Sequence, residues 1–178
     1  FSTARCQAAL PAARARAAGG ARGAPGGRSG GAGGLLPRLE LGPHGAPAGG
    51  AARGFVDPAR RAVLLRGVNA VVKGPPWVPV PDEFSRDLSM TDRDFEIMQS
   101  LGLNVVRLGV MWPGVEPERG EYNETYLDLV EDITQRAARY GVYTLLDMHQ
   151  DVLSESFCGE GIPNWAVRTR STGKHAFP

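Results

Sequence analysis

The stretch TDRDFEIMQSLGLNVVRLGVMW, residues 91–112, decides the fold. Its first half carries apolar residues such as Phe95 and Met98 at helical spacing, and a glycine follows where a helix would end. Its second half is a nearly continuous apolar run, which is typical of a strand buried on both faces. We therefore predict a helix over residues 92–101 and a strand over residues 104–110.

The same order recurs on the carboxyl side. The stretch NETYLDLVEDITQRAARYGVYTLLDMH, residues 123–149, predicts a helix over 124–140, with Asn123 as its N-cap, and a strand over 142–149. A further strand is predicted over residues 64–69. Strands that alternate with helices indicate βαβ units and a parallel sheet, hence an α/β fold.

The loop after the first predicted strand separates two parallel architectures. It is long and rich in proline, and it has no glycine-rich phosphate-binding pattern. Long loops at the carboxyl ends of strands favour a (β/α)8 TIM barrel over a dinucleotide-binding sheet. About three βα units are present, so we expect the N-terminal part of such a barrel.

The amino-terminal third of the chain has a different composition. Fourteen of the 24 glycines lie in residues 1–54, among Ala, Arg and Pro, with no hydrophobic period. We predict a disordered arm over residues 1–53 and a partial barrel, cut short at its carboxyl end, over residues 54–178. The barrel part opens with a β-hairpin that turns at Asp57-Pro58.

Charge is distributed unevenly between these two parts. Residues 1–54 hold seven arginines against one acid, whereas residues 55–178 hold thirteen basic and eighteen acidic residues. An acidic body argues against a nucleic-acid partner. The Arg-rich, acid-poor arm is similar to an organelle transit peptide, and a low-complexity linker or an unreliable gene model are the alternatives.

Polar residues stand at the ends of the predicted strands. Alternation places Asp147 and His149 on one strand face, with Arg107 and Asn69 at matching inward positions of the neighbouring strands. Such groups are costly to bury in a barrel unless they pair or bind a ligand. We interpret Asn69, Asp147 and His149 as candidate substrate-binding residues and Arg107 as a supporting residue of the same site. A purely structural Arg107–Asp147 ion pair is the alternative.

The spacing of Asp147, His149 and Asp151 also resembles a metal-binding pattern. Asp151 lies past the predicted strand end, and no second His or Cys cluster accompanies it. We therefore predict no metal and no cofactor.

Three tryptophans, Trp77, Trp112 and Trp165, each follow one of the three predicted strands. Their flat apolar faces suit a sugar ring or an acyl chain, and Trp112 is taken as a candidate substrate-binding residue. The alternative is that each ring anchors its own loop.

Several of these motifs together resemble glycoside hydrolase family 5, and most of all its endoglycoceramidase branch. They are LLRGVNAVVKGPPWVP (64–79), NVVRLGVMW with the following EPERGEYN (104–123), and HQD with GIPNWAV (149–167). The resemblance covers about residues 54–170 and implies a TIM barrel. It also implies a retaining glycosidase with two catalytic glutamates, both expected beyond Pro178.

The resemblance also implies roles for residues within this chain. Lys73, Asp147 and His149 would contact the sugar nearest the ceramide, and Arg107 would orient the nucleophilic carboxylate. No glutamate here is assigned a catalytic role, because Glu116, Glu118 and Glu160 lie in predicted loops and are poor substitutes for the two family glutamates. The chain alone is therefore expected to be inactive.

The function expected from this resemblance is hydrolysis of the glycan–ceramide linkage in glycosphingolipids. A steryl glucoside or β-glucan substrate, or a non-catalytic barrel, are the alternatives. The expected partner is a glycolipid or oligosaccharide, with transient membrane-surface contact through the substrate. The family resemblance favours a secreted, lysosomal or vacuolar protein.

Overall fold

The computed structural model describes residues 36–43 and 53–168 of the chain. The helices and strands follow in chain order: β1 (Glu40–Pro43), β2 (Arg53–Val56), β3 (Ala62–Val63), β4 (Gly67–Ala70), α1 (Asp92–Ser100), β5 (Val105–Met111), α2 (Trp112–Val115), α3 (Glu124–Arg139) and β6 (Tyr143–His149). Two short 3-10 helices, Glu155–Phe157 and Asn164–Ala166, lie in the segment after β6.

The predicted parallel sheet is confirmed. Strands β4, β5 and β6 lie in that order, and both pairings are parallel. Helix α1 connects β4 to β5, and α3 connects β5 to β6, with bounds within a residue or two of those predicted. The first strand differs most, because residues 64–66 precede β4 rather than belong to it.

One face of this sheet carries the core. Phe95 of α1 and Ile133 of α3 are fully buried against Val106 and Leu108 of β5. The predicted cap of α3 is confirmed, since the Asn123 side chain accepts a hydrogen bond from the backbone N–H of Tyr126 at 3.1 Å. None of the described helices is both long and apolar enough to cross a bilayer.

Strand β6 is less covered than predicted. Leu146 and Met148 point away from Asp147 and His149, as strand alternation requires, but their side chains are 56% and 74% exposed. Strand alternation also predicts that these two side chains face helices, and this prediction is wrong for the described residues. In the described part of the chain, the side chains of Leu146 and Met148 are therefore not covered by a helix.

A second, antiparallel sheet corrects the predicted amino-terminal boundary. β1 pairs with β2, and β2 pairs with β3 through the predicted turn at Asp57, whose carboxylate accepts the backbone N–H of Arg61 at 2.8 Å. Strand β1 and Arg53 fall within the arm predicted as disordered. The glycine-rich composition around β1 hid the strand signal of its few leucines. The rest of the predicted disordered arm, residues 1–35 and 44–52, lies outside the described residues.

Candidate active site

The carboxyl ends of β5 and β6 bring three predicted site residues together. Arg107 Nη2 lies 2.6 Å from Asp147 Oδ2, and His149 Nδ1 lies 3.0 Å from the same oxygen. All three side chains are half-buried or better, on the sheet face opposite the helices. The inward convergence predicted from strand alternation is confirmed for this trio.

Register explains how Arg107 reaches Asp147. The strands pair Arg107 with Leu145, and they pair Gly109 with Asp147. Gly109 has no side chain to stand between the guanidinium and the carboxylate, and a Cβ added there would already lie 3.1 Å from Val71. The glycine therefore leaves the arginine room to extend one step toward the strand end.

Asn69 occupies the predicted position without joining this network. It is in register with Arg107 on β4. Its side chain is exposed and makes no hydrogen bond to the described residues. Its role in substrate binding stays a prediction.

Two further acids, Asp151 and Glu160, belong to the site, although strand periodicity did not indicate them. The Lys73 ammonium donates a hydrogen bond to the Asp151 carboxylate and lies 3.4 Å from Glu160 Oε1. Glu160 is 4% exposed, although it lies in the loop after β6. Neither acid was predicted as a substrate-binding residue: Asp151 was weighed only as a metal ligand, and Glu160 only as a catalytic glutamate. Gly159 and Gly161, on either side of Glu160, were the available signal of a close backbone approach.

His149 links the two halves of the cluster. Because a carboxylate only accepts hydrogen bonds, the Nδ1–H of His149 donates to Asp147. The Nε2 atom then faces Asp151 Oδ2 at 3.5 Å and Glu160 Oε1 at 3.7 Å. Both Nε2 and Glu160 Oε1 are buried and lack a hydrogen-bond partner among the described residues, so this side of the imidazole is arranged to meet a ligand.

The electrostatics of the cluster keep Lys73 and Asp151 charged. The hydrogen bond from Lys73, together with its charge, holds the pKa of Asp151 below its usual range. The hydrogen bond to Asp151, aided by the charge of Glu160, raises the pKa of Lys73. Adjacent full charges of both signs at a strand end suit the hydroxyl groups of a sugar, which both donate and accept.

The same acids have the donor atoms of a metal site. His149, Asp151 and Glu160 each offer a ligand atom, and these atoms lie within 4.8 Å of one another. The Lys73 ammonium, however, already contacts both carboxylates. A bound cation would have to displace it, so the donor set fits an internal ammonium better than a metal.

The tryptophans separate into two groups. Trp112 and Trp165 form an edge-to-face pair with ring centres 5.7 Å apart, and both indole N–H groups donate to Glu116, one to its carboxylate and one to its carbonyl. Trp77 packs against the core, and its carbonyl accepts the Tyr126 hydroxyl at 3.1 Å. Trp77 is therefore a loop anchor, whereas the Trp112–Trp165 pair presents half-buried rings next to the end of β5.

The loop glutamates after β5 have structural partners. Glu116 also accepts the backbone N–H of Gly120, and these hydrogen bonds lower its pKa. Glu118 forms an isolated backbone bridge with Glu121. Neither acid contacts the charged cluster formed by Lys73, His149, Asp151 and Glu160.

Comparison with known proteins identifies the family. Residues 56–176 match the sequence model described as Cellulase (glycosyl hydrolase family 5). The chain is 49% identical over 124 residues to "Endoglycoceramidase" of Cyanea nozakii, covering 70% of this chain and 24% of that protein. It thus spans about a quarter of the length of that curated relative.

Solved structures agree with this match. A crystal structure of endogalactoceramidase superposes with a TM-score of 0.55 at 29% identity, covering 74% of this chain and 30% of the other. The lactosyl-enzyme intermediate of endo-glycoceramidase II from Rhodococcus sp. gives a TM-score of 0.50 at 34% identity, covering 64% and 26%. The three parallel strands are thus part of a (β/α)8 barrel, and the chain belongs to glycosyl hydrolase family 5.

Proposed function

We propose that the full-length protein containing this chain is a retaining glycosidase that cleaves the bond between the glycan and the ceramide of glycosphingolipids. The relatives named as endoglycoceramidases, similar over the segment that builds the site, support this substrate class. A lactosyl-enzyme intermediate in one of them supports a covalent, retaining course.

The observation that carries the proposal is the continuous charged network across the strand ends. It runs from Arg107 through Asp147 and His149 to Lys73 and Asp151, with each step at ion-pair distance. In (β/α)8 barrels the chemistry lies at this end of the strands. A network of donors and acceptors there can bind sugar hydroxyls from one side.

Within this network we assign two kinds of role. Lys73, His149 and Asp151 face the sugar, because the half-exposed Lys73 and Asp151 and the unpartnered Nε2 of His149 retain hydrogen-bonding capacity. Asp147 is less exposed, and its Oδ2 is shared by Arg107 and His149, so it orients these two side chains; its Oδ1 is left to contact the sugar as expected.

Arg107 would in turn hold the nucleophilic carboxylate. A guanidinium has five N–H donors, and the contact to Asp147 uses only part of them. A neighbouring arginine keeps a carboxylate ionised, as a nucleophile requires. Both catalytic carboxylates would come from a part of the protein outside this chain.

The test is hydrolysis by the full-length protein. It is incubated with lactosylceramide or a ganglioside in detergent, and the released oligosaccharide and ceramide are identified by mass spectrometry. Release of an intact oligosaccharide, first in the β configuration by NMR, is the expected result. Parallel reactions with a steryl glucoside and a β-glucan distinguish the alternatives, and cleavage of either one in place of the glycosphingolipid would overturn the proposal.

A further inference from the structure

Glu160 is the most buried member of the charged cluster. Its side chain is 5% exposed, compared with 47% for Asp151 and 53% for Lys73. Its Oε1 atom makes no hydrogen bond to the described residues, and the nitrogen atoms nearest to it are Lys73 Nζ at 3.4 Å and His149 Nε2 at 3.7 Å. A buried carboxylate is costly unless it is paired, so Lys73 is the group that compensates it.

The loop backbone holds Glu160 in this place. Its N–H donates to the carbonyl of Asp151 at 3.0 Å, and the N–H of Ile162 donates to Leu153 at 2.6 Å. A Cβ on the preceding Gly159 would lie 2.2 Å from the carbonyl oxygen of Val152. Only a glycine allows the loop to return so closely onto the end of β6, and this return places the Glu160 side chain beneath Lys73.

Asp151 and Glu160 therefore hold the same ammonium in different ways. The Asp151 carboxylate is half-exposed and can turn toward a ligand, whereas the buried Glu160 cannot. We propose that Glu160 is a positioning residue, which fixes the Lys73 ammonium at the mouth of the site so that it can bind a substrate hydroxyl. The consequence for catalysis rests on the proposed function, whereas the contact itself does not.

The titratable groups around Lys73 agree with this role. Those facing it are Asp151 and Glu160 from the loop after β6, with His149 behind them at the end of that strand. The pKa of Lys73 is raised by the hydrogen bond to Asp151 first and by the charge of Glu160 as well. Removing the charge of Glu160 should make Lys73 easier to deprotonate.

The first experiment measures Lys73 directly in the full-length protein. Trace labelling with acetic anhydride across pH, read by peptide mass spectrometry, gives the reactivity of this amine. Glu160→Gln should raise the labelling of Lys73 and move its midpoint to lower pH. Glu155→Gln removes the same charge from the same loop, where Glu155 contacts Asn164 rather than Lys73, and should leave the labelling unchanged. Equal labelling of Lys73 in wild type and Glu160→Gln would overturn the proposal.

The second experiment is a double-mutant cycle on glycosphingolipid hydrolysis. Glu160→Gln should lower kcat/KM by about 10- to 100-fold, because a displaced positioning group costs activity on this scale. In a Lys73→Met background the same change should have almost no further effect. Glu160→Asp keeps the charge and should recover part of the lost kcat/KM. It replaces Glu160→Gln in the cycle if the latter does not fold. Losses that multiply independently in the two backgrounds would show that Glu160 does not act through Lys73.

These two readouts separate the two proposals. If wild type cleaves no glycosphingolipid but Lys73 labelling responds to Glu160→Gln, the proposed function fails and the positioning role stands. If cleavage is observed and the labelling does not respond, the positioning role fails alone.

Discussion

Arg107 and Asp147 lie on adjacent parallel strands, offset by two residues in register, and their side chains meet at 2.6 Å across the space left by Gly109. The same Asp147 oxygen accepts from His149 at 3.0 Å. One half-buried carboxylate therefore fixes the directions of a guanidinium and an imidazole at once. A close ion pair and a hydrogen bond to a carboxylate, which is of the stronger kind, meet at one oxygen, so the geometry of the trio is well defined.

Asp147→Ala should therefore disable the full-length enzyme without unfolding it. Both Arg107 and His149 lose their common acceptor, and we expect kcat/KM to fall by about 100-fold or more, on the order of 3 kcal/mol of transition-state stabilisation. Part of the loss should appear in kcat. Steady-state kinetics on a defined glycosphingolipid, with a thermal melt, measures both quantities.

Met148→Leu is the matched control for that change. Met148 is the next residue of β6, on the opposite face, and it is 74% exposed in the described structure. Volume-conserving apolar exchanges cost under about 1.5 kcal/mol of stability, and kcat should stay near wild type. Loss of turnover in Met148→Leu alongside an active Asp147→Ala would mean that the strand faces are assigned the wrong way round.

Local periodicity was sufficient to predict the sheet and half of the site. Strand alternation alone puts Asp147 and His149 on one face, and capping chemistry alone places the start of α3 at Asn123. Both signals act within a few neighbouring residues, so a single sequence reveals them.

The remaining features depend on contacts between distant segments. Asp151 and Glu160 enter the site because a loop folds back onto the end of β6, and no period in the sequence encodes that return. The exposure of Leu146 depends on which helix covers β6, and β1 depends on pairing with β2 across the segment 44–52. The pair of glycines beside Glu160 was the one local sign of the fold-back.

Tyr126→Phe should destabilise the protein although it removes a single oxygen. The buried hydroxyl accepts the backbone N–H of Met111 at 2.9 Å and donates to the carbonyl of Trp77 at 3.1 Å. Leaving a buried N–H without a partner costs about 1–3 kcal/mol. Chemical denaturation should show this loss in the free energy of unfolding. Tyr122→Phe, at a side chain 64% exposed, should change it little, and equal effects of the two substitutions would contradict the assignment.

Glu116→Gln should lower the melting temperature in a pH-dependent way. The backbone N–H of Gly120, and then the indole of Trp112, lower the pKa of Glu116 in the folded state. A depressed carboxyl pKa contributes stability above the unfolded value of about 4.3, and that contribution is lost as pH falls through the folded pKa. The gap in melting temperature between wild type and Glu116→Gln should therefore be widest near neutral pH and close in acid. Glu118→Gln, whose side chain makes no hydrogen bond to the described residues, should show no such closing gap.

Gly159→Ala should affect activity more than a change of one methyl group suggests. The new Cβ would lie 2.2 Å from the Val152 carbonyl oxygen and 2.3 Å from that of Asp151, and backbone atoms cannot turn aside as a side chain can. The loop must shift, which moves Asp151 and Glu160 away from Lys73. A displacement near 1 Å is enough to cost about 100-fold in kcat/KM.

Gly102→Ala supplies the comparison for Gly159→Ala. Gly102 has a φ of +69° and open space around its Cβ position, and it lies at the end of α1, away from the cluster. Alanine there is strained by about 1 kcal/mol, so it should lower the melting temperature and leave kcat/KM unchanged. If both substitutions changed stability alone, the fold-back of the 151–162 loop would have no part in shaping the site, because its disruption would leave the chemistry intact.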